Sequence, residues 1–488
     1  MGMGEFAMSI EPEIPGAEAL ELRRALGPVQ LIALGIGAII GAGIFVITGH
    51  AAASFAGPGV VISFAIAGLG CLFAGLCYAE FASMIPVAGS AYTYTYATLG
   101  KLVAWIIGWN LVLEYMAAAS TVAVGWSGYF TALLAEMGIR IPSQFSSAPL
   151  AMNAFSDITA TGAILNLPAM AIVAAASILL VVGIRASARI NAVMVVIKLC
   201  IVALVIAFGL PLIRHQNLTP FIPPNSGTWG QFGWSGVFRA TGVIFFAYIG
   251  FDAVSVAAQE AKNPQRDIPI GILGSLIICT VLYILMSLTM TGLAPYLALN
   301  VPHPVFVAID NGGPALAWLG PVVNVGAVVG LASVVLVLLL GQSRIFYAMS
   351  RDGLIPALYS QVHPRFRTPW LGTAITGGFA ALLAGIVPLG ILGELVSIGT
   401  LAAFAIVCVG ILVLRVKAPD AVRPFRAPLI WLVAPLGIAM CLFMMAFLPL
   451  DTWLRLLVWT ALGFAIYFGY GARHAKPSQW NLLKQPAE

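Results

Sequence analysis

The sequence predicts an all-α integral membrane protein with twelve transmembrane helices. Of its 488 residues, 61% are hydrophobic and only 8% are charged, a balance typical of membrane proteins. The apolar residues are gathered into twelve segments, each long enough to cross about 30 Å of hydrocarbon as a helix. Two of these segments, five apart along the chain, contain glycine-bearing interruptions. Such a pairing indicates a 5+5 inverted repeat in which helices 1 and 6 are discontinuous.

No linker or low-complexity stretch divides the apolar segments, so a single membrane domain is predicted at 29–472, between tails at 1–28 and 473–488. Its parts are two repeats at about 29–211 and 237–414 and two final helices at about 427–471. The transmembrane helices are predicted at 30–56, 60–84, 102–133, 168–184, 190–211, 237–258, 268–293, 316–348, 370–388, 391–414, 427–447 and 452–471.

The basic residues predict the orientation, because short cytoplasmic loops carry an excess of Lys and Arg. With both termini in the cytoplasm, 18 of the 23 basic residues fall on the cytoplasmic side, four fall outside, and Lys198 lies within the fifth helix. The N-terminal tail carries five glutamates and lacks the basic and then apolar pattern of a signal peptide. A multi-pass protein of the cell membrane with two cytoplasmic termini is therefore expected.

The first interruption, at 35–45, contains four glycines in nine residues. Each glycine destabilises a helix by about 1 kcal/mol relative to alanine, and each allows close approach to the backbone. Within a bilayer, non-helical backbone survives only where protein buries it or where it lines a cavity. A stripe of small residues for close helix packing is the alternative interpretation. The second interruption favours a broken helix.

The second interruption, at 242–252, combines glycines and aromatic residues with an aspartate at membrane depth. Because five helices are an odd number, the second repeat is inverted and the two breaks face each other at mid-membrane. Broken helices offer N-termini to an anion and free carbonyls to a cation. A molecule with a carboxylate and an ammonium group on one carbon suits this combination.

Ionisable residues within the membrane are costly, so each is a functional candidate. Lys198 is set in an apolar run, where burial favours loss of its proton; a coupling role and a purely structural role are both open. Glu114 and Asp252 can receive a cationic group or bond the unwound backbone. A substrate-side or proton-relay role is expected for Glu114, and capping of the break is the alternative for Asp252. Glu80 is expected to pair with a loop arginine, and Glu394 is assigned no role.

Several function classes are excluded by what the chain lacks. The sequence has no HExxH, GxSxG or CxxC motif, no Walker A motif, and no Cys and His residues at metal-ligand spacing. Nothing resembles a channel selectivity filter, and no basic cluster suits nucleic acid. We therefore predict that the chain is not an enzyme and binds no metal, cofactor or nucleic acid.

Seven motifs resemble the amino acid–polyamine–organocation superfamily and, within it, the bacterial cationic amino acid transporter family. They are GIGAIIGAGIFVITG (35–49), YAEFASMIPVAGSAYTY (78–94), GWNLVLEY (108–115), FFAYIGFDAV (245–254), NPQRDIPIGI (263–272), SRIFYAMSRDGLIP (343–356) and RPFRAP (423–428). The resemblance covers most of the chain and implies a leucine-transporter-like fold with an amino acid bound between helices 1 and 6.

Carried over by position, the resemblance implies that the backbone N–H groups of Ala42 and Gly43 bind the substrate carboxylate. The carbonyls that would bind the ammonium group are those of Ile39, Phe246, Ala247 and Ile249. The whole predicted substrate site comprises Ile39, Ile40, Gly41, Ala42, Gly43, Glu114, Phe246, Ala247, Ile249 and Asp252. The chain has Ala42 where many members have threonine, and Asn110 where many have aspartate.

The function implied is secondary active transport of L-amino acids. Proton-coupled uptake is expected, with a preference for arginine, lysine and ornithine and with small neutral amino acids as further substrates. Similar proton-driven transporters carry a lysine at the position of Lys198. An uncoupled exchanger on the same fold is the alternative. The expected partners are the amino acid, protons and membrane lipid.

Overall fold

The computed structural model describes residues 26–84, 90–154, 157–182, 188–256, 261–366 and 368–476. Most of the two predicted cytoplasmic tails lies outside the described residues, and their placement stays a prediction.

The described part of the chain is almost entirely helical. The α-helices are α1 Pro28–Ile39, α2 Thr48–Ala51, α3 Val60–Met84, α4 Ser90–Thr98, α5 Lys101–Glu136, α6 Leu167–Val182, α7 Ala188–Gly209, α8 Gly233–Ile244, α9 Ala253–Val256, α10 Pro264–Leu293, α11 Pro304–Asn311, α12 Leu319–Arg351, α13 Trp370–Ile386, α14 Leu389–Lys417, α15 Ile430–Ala446, α16 Leu450–Ile466 and α17 Ala472–His474. Wider π-helical turns cover Gly43–Ile47, Ala52–Ala56 and Tyr467–Gly471.

Each of the twelve apolar segments contains helix. Within the described ranges, seven helical stretches are long and apolar enough to cross a membrane, and four shorter apolar helices accompany them. The chain is thus a multi-pass membrane protein, while the count of twelve spans and the inverted repeat remain predictions.

Helix α5 lies at the centre of the fold and packs against α12, α14, α6 and α13. Helix α5 contains many small residues, which let neighbouring helices approach closely. A Cβ atom at Gly108 would lie 3.0 Å from both Met349 Sδ and Tyr92 Cδ2, so this glycine allows α5 to meet α12 and α4. Helix α10 packs against both α3 and α1.

The described residues include one short element that is not helical, and it leaves the predicted all-α class of the membrane fold unchanged. The strands Leu150–Ala154 and Asp157–Ala160 form an antiparallel β-hairpin between α5 and α6, with Leu150 opposite Ala160. The hairpin lies between the apolar segments, where the backbone must find hydrogen-bond partners outside a helix. Apolar periodicity is informative about the membrane helices and gives no signal for this short loop structure.

A buried ion pair closes the end of α3 next to the C-terminal end of α14. Arg415 Nε and Nη2 donate to Glu80 Oε1 and Oε2 at 2.9 and 2.8 Å, and Arg423 Nε lies 3.4 Å from Oε1. The backbone N–H of Ala427 also donates to Glu80 Oε2 at 2.9 Å. The ion pair expected for Glu80 is therefore present.

Candidate functional site

The first helix break separates α1 from the turn that begins at Gly43. Helix α1 ends at Ile39, and Ile40 turns to an extended conformation with φ −72° and ψ 98°. The chain is helical again from Ala42 into the turn Gly43–Ile47, so Ile40 and Gly41 are the residues that leave the helix. Because a helix end leaves carbonyls unpaired and a helix start leaves N–H groups unpaired, both kinds of group are available here.

The second break follows α8. The chain tightens into a 3₁₀ turn at Phe245–Tyr248, becomes extended at Ile249 with ψ 137°, and returns to helix at Ala253. Gly250 has φ +113°, a conformation that favours glycine, and a Cβ atom there would lie 2.8 Å from the carbonyl of Ala38. Both predicted discontinuities are therefore present, and they touch each other.

Glycine also allows the contact on the other side of the breaks. A Cβ atom at Gly43 would collide with Cα and Cβ of Ala247. At Gly41 the nearest neighbour of such an atom is the Cγ1 methyl of Val334, at 3.3 Å, which belongs to a side chain rather than to backbone. Gly43 thus sets the approach of the two breaks, and Gly41 faces α12.

A small cavity of about 20 Å³ lies between the breaks. Six residues predicted for the site line it, namely Ile39, Gly41, Ala42, Gly43, Phe246 and Ile249. It has room for about one water molecule, so an amino acid would require its walls to separate. Of the other predicted site residues, Ile40, Ala247, Glu114 and Asp252 do not line it.

The other five residues of the cavity wall were not predicted from the sequence. Ala118 and Val122 come from α5, Val334 and Leu338 from α12, and Ala38 from the end of α1. These side chains are small or branched and wholly apolar. No local pattern distinguishes them from other buried residues of two long helices, although a small residue facing a predicted break, such as Ala118, is a usable signal.

The two predicted acids lie beside the cavity. Glu114 is one helical turn from Ala118, is 1% exposed, and has no hydrogen-bond partner for its Oε2 atom within the described structure. Asp252 is 2% exposed and accepts a hydrogen bond of 3.3 Å from the hydroxyl of Tyr115. Glu114 therefore lies on α5 and Asp252 lies at the second break, and neither belongs to the apolar cavity wall.

Lys198 lies behind the first break. Its Nζ donates a 3.2 Å hydrogen bond to the carbonyl of Gly37, in the last turn of α1, and the residue is 2% exposed. A Cβ atom at Gly330 would lie 3.1 Å from Lys198 Cγ, so the lysine stem packs on α12. The Lys198 side chain of α7 thus contacts both the broken helix α1 and helix α12.

A charged cluster joins α8 to α14 and α16. Glu394 lies at the centre of the cluster. Its carboxylate oxygens lie 3.7 Å from Arg239 Nη2 and 3.6 Å from Arg455 Nη1. The carboxylate also accepts a 2.9 Å hydrogen bond from the Thr452 hydroxyl. The Arg239 guanidinium also lies 4.3 Å from the ring centre of Phe55, in the segment that follows the first break. No role was predicted for Glu394 from the sequence.

The part of the chain that is described contains no group of three or more His, Cys, Asp or Glu residues able to hold a metal ion. The arrangement instead combines backbone groups of both polarities, an apolar cavity, and separate charged side chains nearby.

Comparison with known proteins identifies the family. A model described as amino acid permease matches residues 26–468. The branched-chain amino acid permease BcaP of Bacillus subtilis is 48% identical over 94% of this chain and 95% of the relative. The methylthioribose transporter of the same organism is 45% identical over 94% and 96%. Cationic amino acid transporter 4, vacuolar, of Arabidopsis thaliana is 37% identical over 82% of this chain and 65% of the relative.

The family match spans most of the chain, and it covers both helix breaks and every residue of the cavity wall. The relatives are named as permeases and transporters. The chain therefore belongs to the amino acid permease family of the amino acid–polyamine–organocation superfamily and is a transporter, not an enzyme.

Proposed function

We propose that this protein is a secondary active transporter that carries L-amino acids across the cell membrane. The observation that supports this most directly is the contact of two broken helices around a cavity. Backbone groups of opposite polarity meet there, as an amino acid with its carboxylate and ammonium requires. Opening the cavity to one side of the membrane and then to the other would move the bound molecule.

In the proposed binding mode, the N–H groups of Ala42 and Gly43 hold the carboxylate at the start of a helical turn. The ammonium group is held by carbonyls at the breaks, namely those of Ile39, Phe246, Ala247 and Ile249. The cavity supports this binding mode, because its lining includes residues proposed for the carboxylate and residues proposed for the ammonium group. Because these contacts use the backbone, they are independent of the substrate side chain.

The cavity walls favour a small or branched apolar side chain. Ala118, Val122, Val334 and Leu338 offer no hydrogen-bonding side-chain atom to a charged substrate. Burial of apolar surface is worth about 25 cal/mol per Å², so such walls favour leucine, isoleucine or valine. The relative named as a branched-chain amino acid permease is in accord with this proposal.

The cationic preference expected from the resemblance has its own supporting observation. Glu114 is buried one turn below Ala118 with a carboxylate oxygen that lacks a partner in the described ranges. A long cationic side chain that passed the apolar walls would find a counter-charge there. Plant relatives are named as cationic amino acid transporters, at lower identity.

Proton coupling is proposed through Lys198. A protonated ammonium donates to the Gly37 carbonyl and holds α1 to α7 and α12, whereas the neutral amine holds it less strongly. The balance between orientations of the bundle would then depend on the proton. An exchanger that needs no proton is the alternative on the same fold.

We also propose the wider arrangement expected from the sequence: twelve spans, a 5+5 inverted repeat, residence in the cell membrane, and both termini in the cytoplasm. Labelling of single cysteines placed in successive loops, with a reagent that does not cross the membrane, tests the sidedness. Reaction of both termini from outside would contradict the proposed orientation.

The substrate class is tested by thermal-shift screening of the purified protein with the twenty L-amino acids and methylthioribose. A ligand at 100 times its Kd adds about 2.7 kcal/mol to the free energy of unfolding, which is readily measured. We expect leucine, isoleucine and valine to stabilise the protein more than arginine. Stabilisation by arginine alone would favour the cationic proposal, and no effect of any α-amino acid would refute the function.

A further inference from the structure

We propose that Tyr283 is a positioning residue of the candidate site, whose hydroxyl ties the two helix breaks together and sets the separation of the carbonyls that accept the substrate ammonium. This inference rests on the proposed amino acid transport. It assigns a role to a residue of α10 that lies outside both breaks and outside the cavity wall.

The hydroxyl of Tyr283 contacts one carbonyl of each break. Its oxygen lies 2.8 Å from the carbonyl oxygen of Ile39 and 2.7 Å from that of Ala247. Ile39 is the last residue of α1, and Ala247 lies in the 3₁₀ turn of the second break. One side-chain atom therefore links the ends of two elements that are 208 residues apart in the chain.

The Tyr283 hydroxyl leaves hydrogen-bond acceptor capacity free at the two carbonyls that it contacts. A phenol has one O–H donor, so it donates to only one of the two carbonyls at a time. Each carbonyl oxygen can accept two hydrogen bonds, so this contact leaves acceptor capacity at both Ile39 and Ala247. An ammonium group brings three donors and matches that capacity. The bridge thus holds two acceptors in place without saturating them.

The Tyr283 ring is held in one position. It is fully buried, with its centre 5.3 Å from that of Phe64 and 5.4 Å from that of Tyr248. Aromatic contacts in such tilted and edge geometries stabilise the arrangement of the rings beyond the effect of their burial. The hydroxyl is therefore a fixed point against which both breaks are set.

Tyr248 provides a matched control. It is also fully buried, and its hydroxyl also donates to a backbone carbonyl, that of Phe64 in α3, at 2.8 Å. Replacing either tyrosine with phenylalanine removes one buried hydroxyl and one hydrogen bond to backbone. Only the change at Tyr283 releases the two carbonyls of the breaks.

The experiment compares Tyr283→Phe and Tyr248→Phe in the full-length purified protein. The first readout is hydrogen–deuterium exchange of the peptides that cover 36–45 and 245–252, without substrate. We expect Tyr283→Phe to speed exchange in both peptides, and Tyr248→Phe to leave the first peptide unchanged. Unchanged exchange in both peptides of Tyr283→Phe would overturn the bridge.

The second readout is the affinity for L-leucine and for its 2-hydroxy acid counterpart, which has a hydroxyl in place of the ammonium. Loss of fixed acceptors should weaken leucine binding about tenfold, while the hydroxy acid changes less. An equal loss for both ligands would overturn the positioning role. If the wild type binds no α-amino acid, the proposed function fails, and the exchange measurement still decides whether Tyr283 ties the breaks.

Discussion

Lys198 Nζ lies 3.2 Å from the carbonyl oxygen of Gly37, so a charged group of α7 holds the last turn of α1 immediately before its break. The contact places a titratable side chain against the element that must move when the cavity opens. In the proposed transport cycle, a change in the charge of Lys198 would therefore alter the hydrogen bond that holds α1 next to the candidate site.

Replacing Lys198 with alanine is expected to abolish the concentrative uptake of leucine into liposomes under an inward-acid gradient. Binding of leucine should persist, because Lys198 does not line the cavity. Lys101→Ala is the matched control, since Lys101 also donates to a backbone carbonyl, that of Ala475 at 2.8 Å, far from the breaks. Accumulation by Lys198→Ala at the wild-type level would show that the lysine is structural.

Substitution of the break glycines should have graded effects. Gly43→Ala introduces a Cβ atom into the backbone of Ala247, and we expect leucine binding to be lost. Gly41→Ala meets only the side chain of Val334, whose nearest atom is 3.3 Å away, and should weaken binding less. Gly378→Ala, where a Cβ atom has nothing within 4 Å, is the control for folding. Wild-type binding by Gly43→Ala would exclude this glycine from the site.

Glu114→Gln distinguishes the two proposals for the substrate side chain. The change removes the ionisable carboxyl group but keeps the shape of the side chain, and Glu114 does not line the cavity. We expect the Kd for leucine to change by less than about twofold. If competition experiments instead show that arginine binds the wild type and loses more than about tenfold in affinity in the variant, the cationic proposal is favoured.

Glu80→Gln should destabilise the protein without altering substrate selectivity. It leaves Arg415 and Arg423 without their buried counter-charge, and breaking a buried ion pair typically costs about 3–5 kcal/mol. The measurement is the midpoint of thermal unfolding in detergent. Asp310→Asn, at an exposed carboxylate of α11, is the control. Equal unfolding midpoints for Glu80→Gln and wild type would contradict the structural role.

Glu394→Gln should ease opening of the cavity on the side of the Arg239 and Arg455 cluster, because both charge pairs share this one carboxylate. The readout is the labelling rate of an Ala118→Cys probe by a thiol reagent that does not cross the membrane, in a background without the native cysteines. A faster rate is expected relative to the same probe with Asp310→Asn, an exposed acid of α11. Equal rates would show that the cluster does not control access.

The positions of the helices and of both breaks could be predicted from the sequence, because they depend on local properties. A run of apolar residues becomes a helix within a membrane wherever it lies in the chain, because its backbone N–H and C=O groups must form hydrogen bonds with each other in the absence of water. The glycines at 35–45 and 242–252 weaken the helix at those places and permit the φ of +113° at Gly250. The burial of Lys198 could be predicted in the same way, because the residues around it in the sequence are apolar.

The tertiary structure alone decided which distant side chains complete the site. Val334, Leu338, Ala118 and Val122 line the cavity only because α12 and α5 present those faces to the breaks, and both helices have many equivalent buried residues. The bridge from Tyr283 and the cluster around Glu394 likewise join residues far apart in sequence. Apolar content and glycine placement are local properties of the chain, whereas the rotation and packing of one helix against another arise only when all the helices assemble.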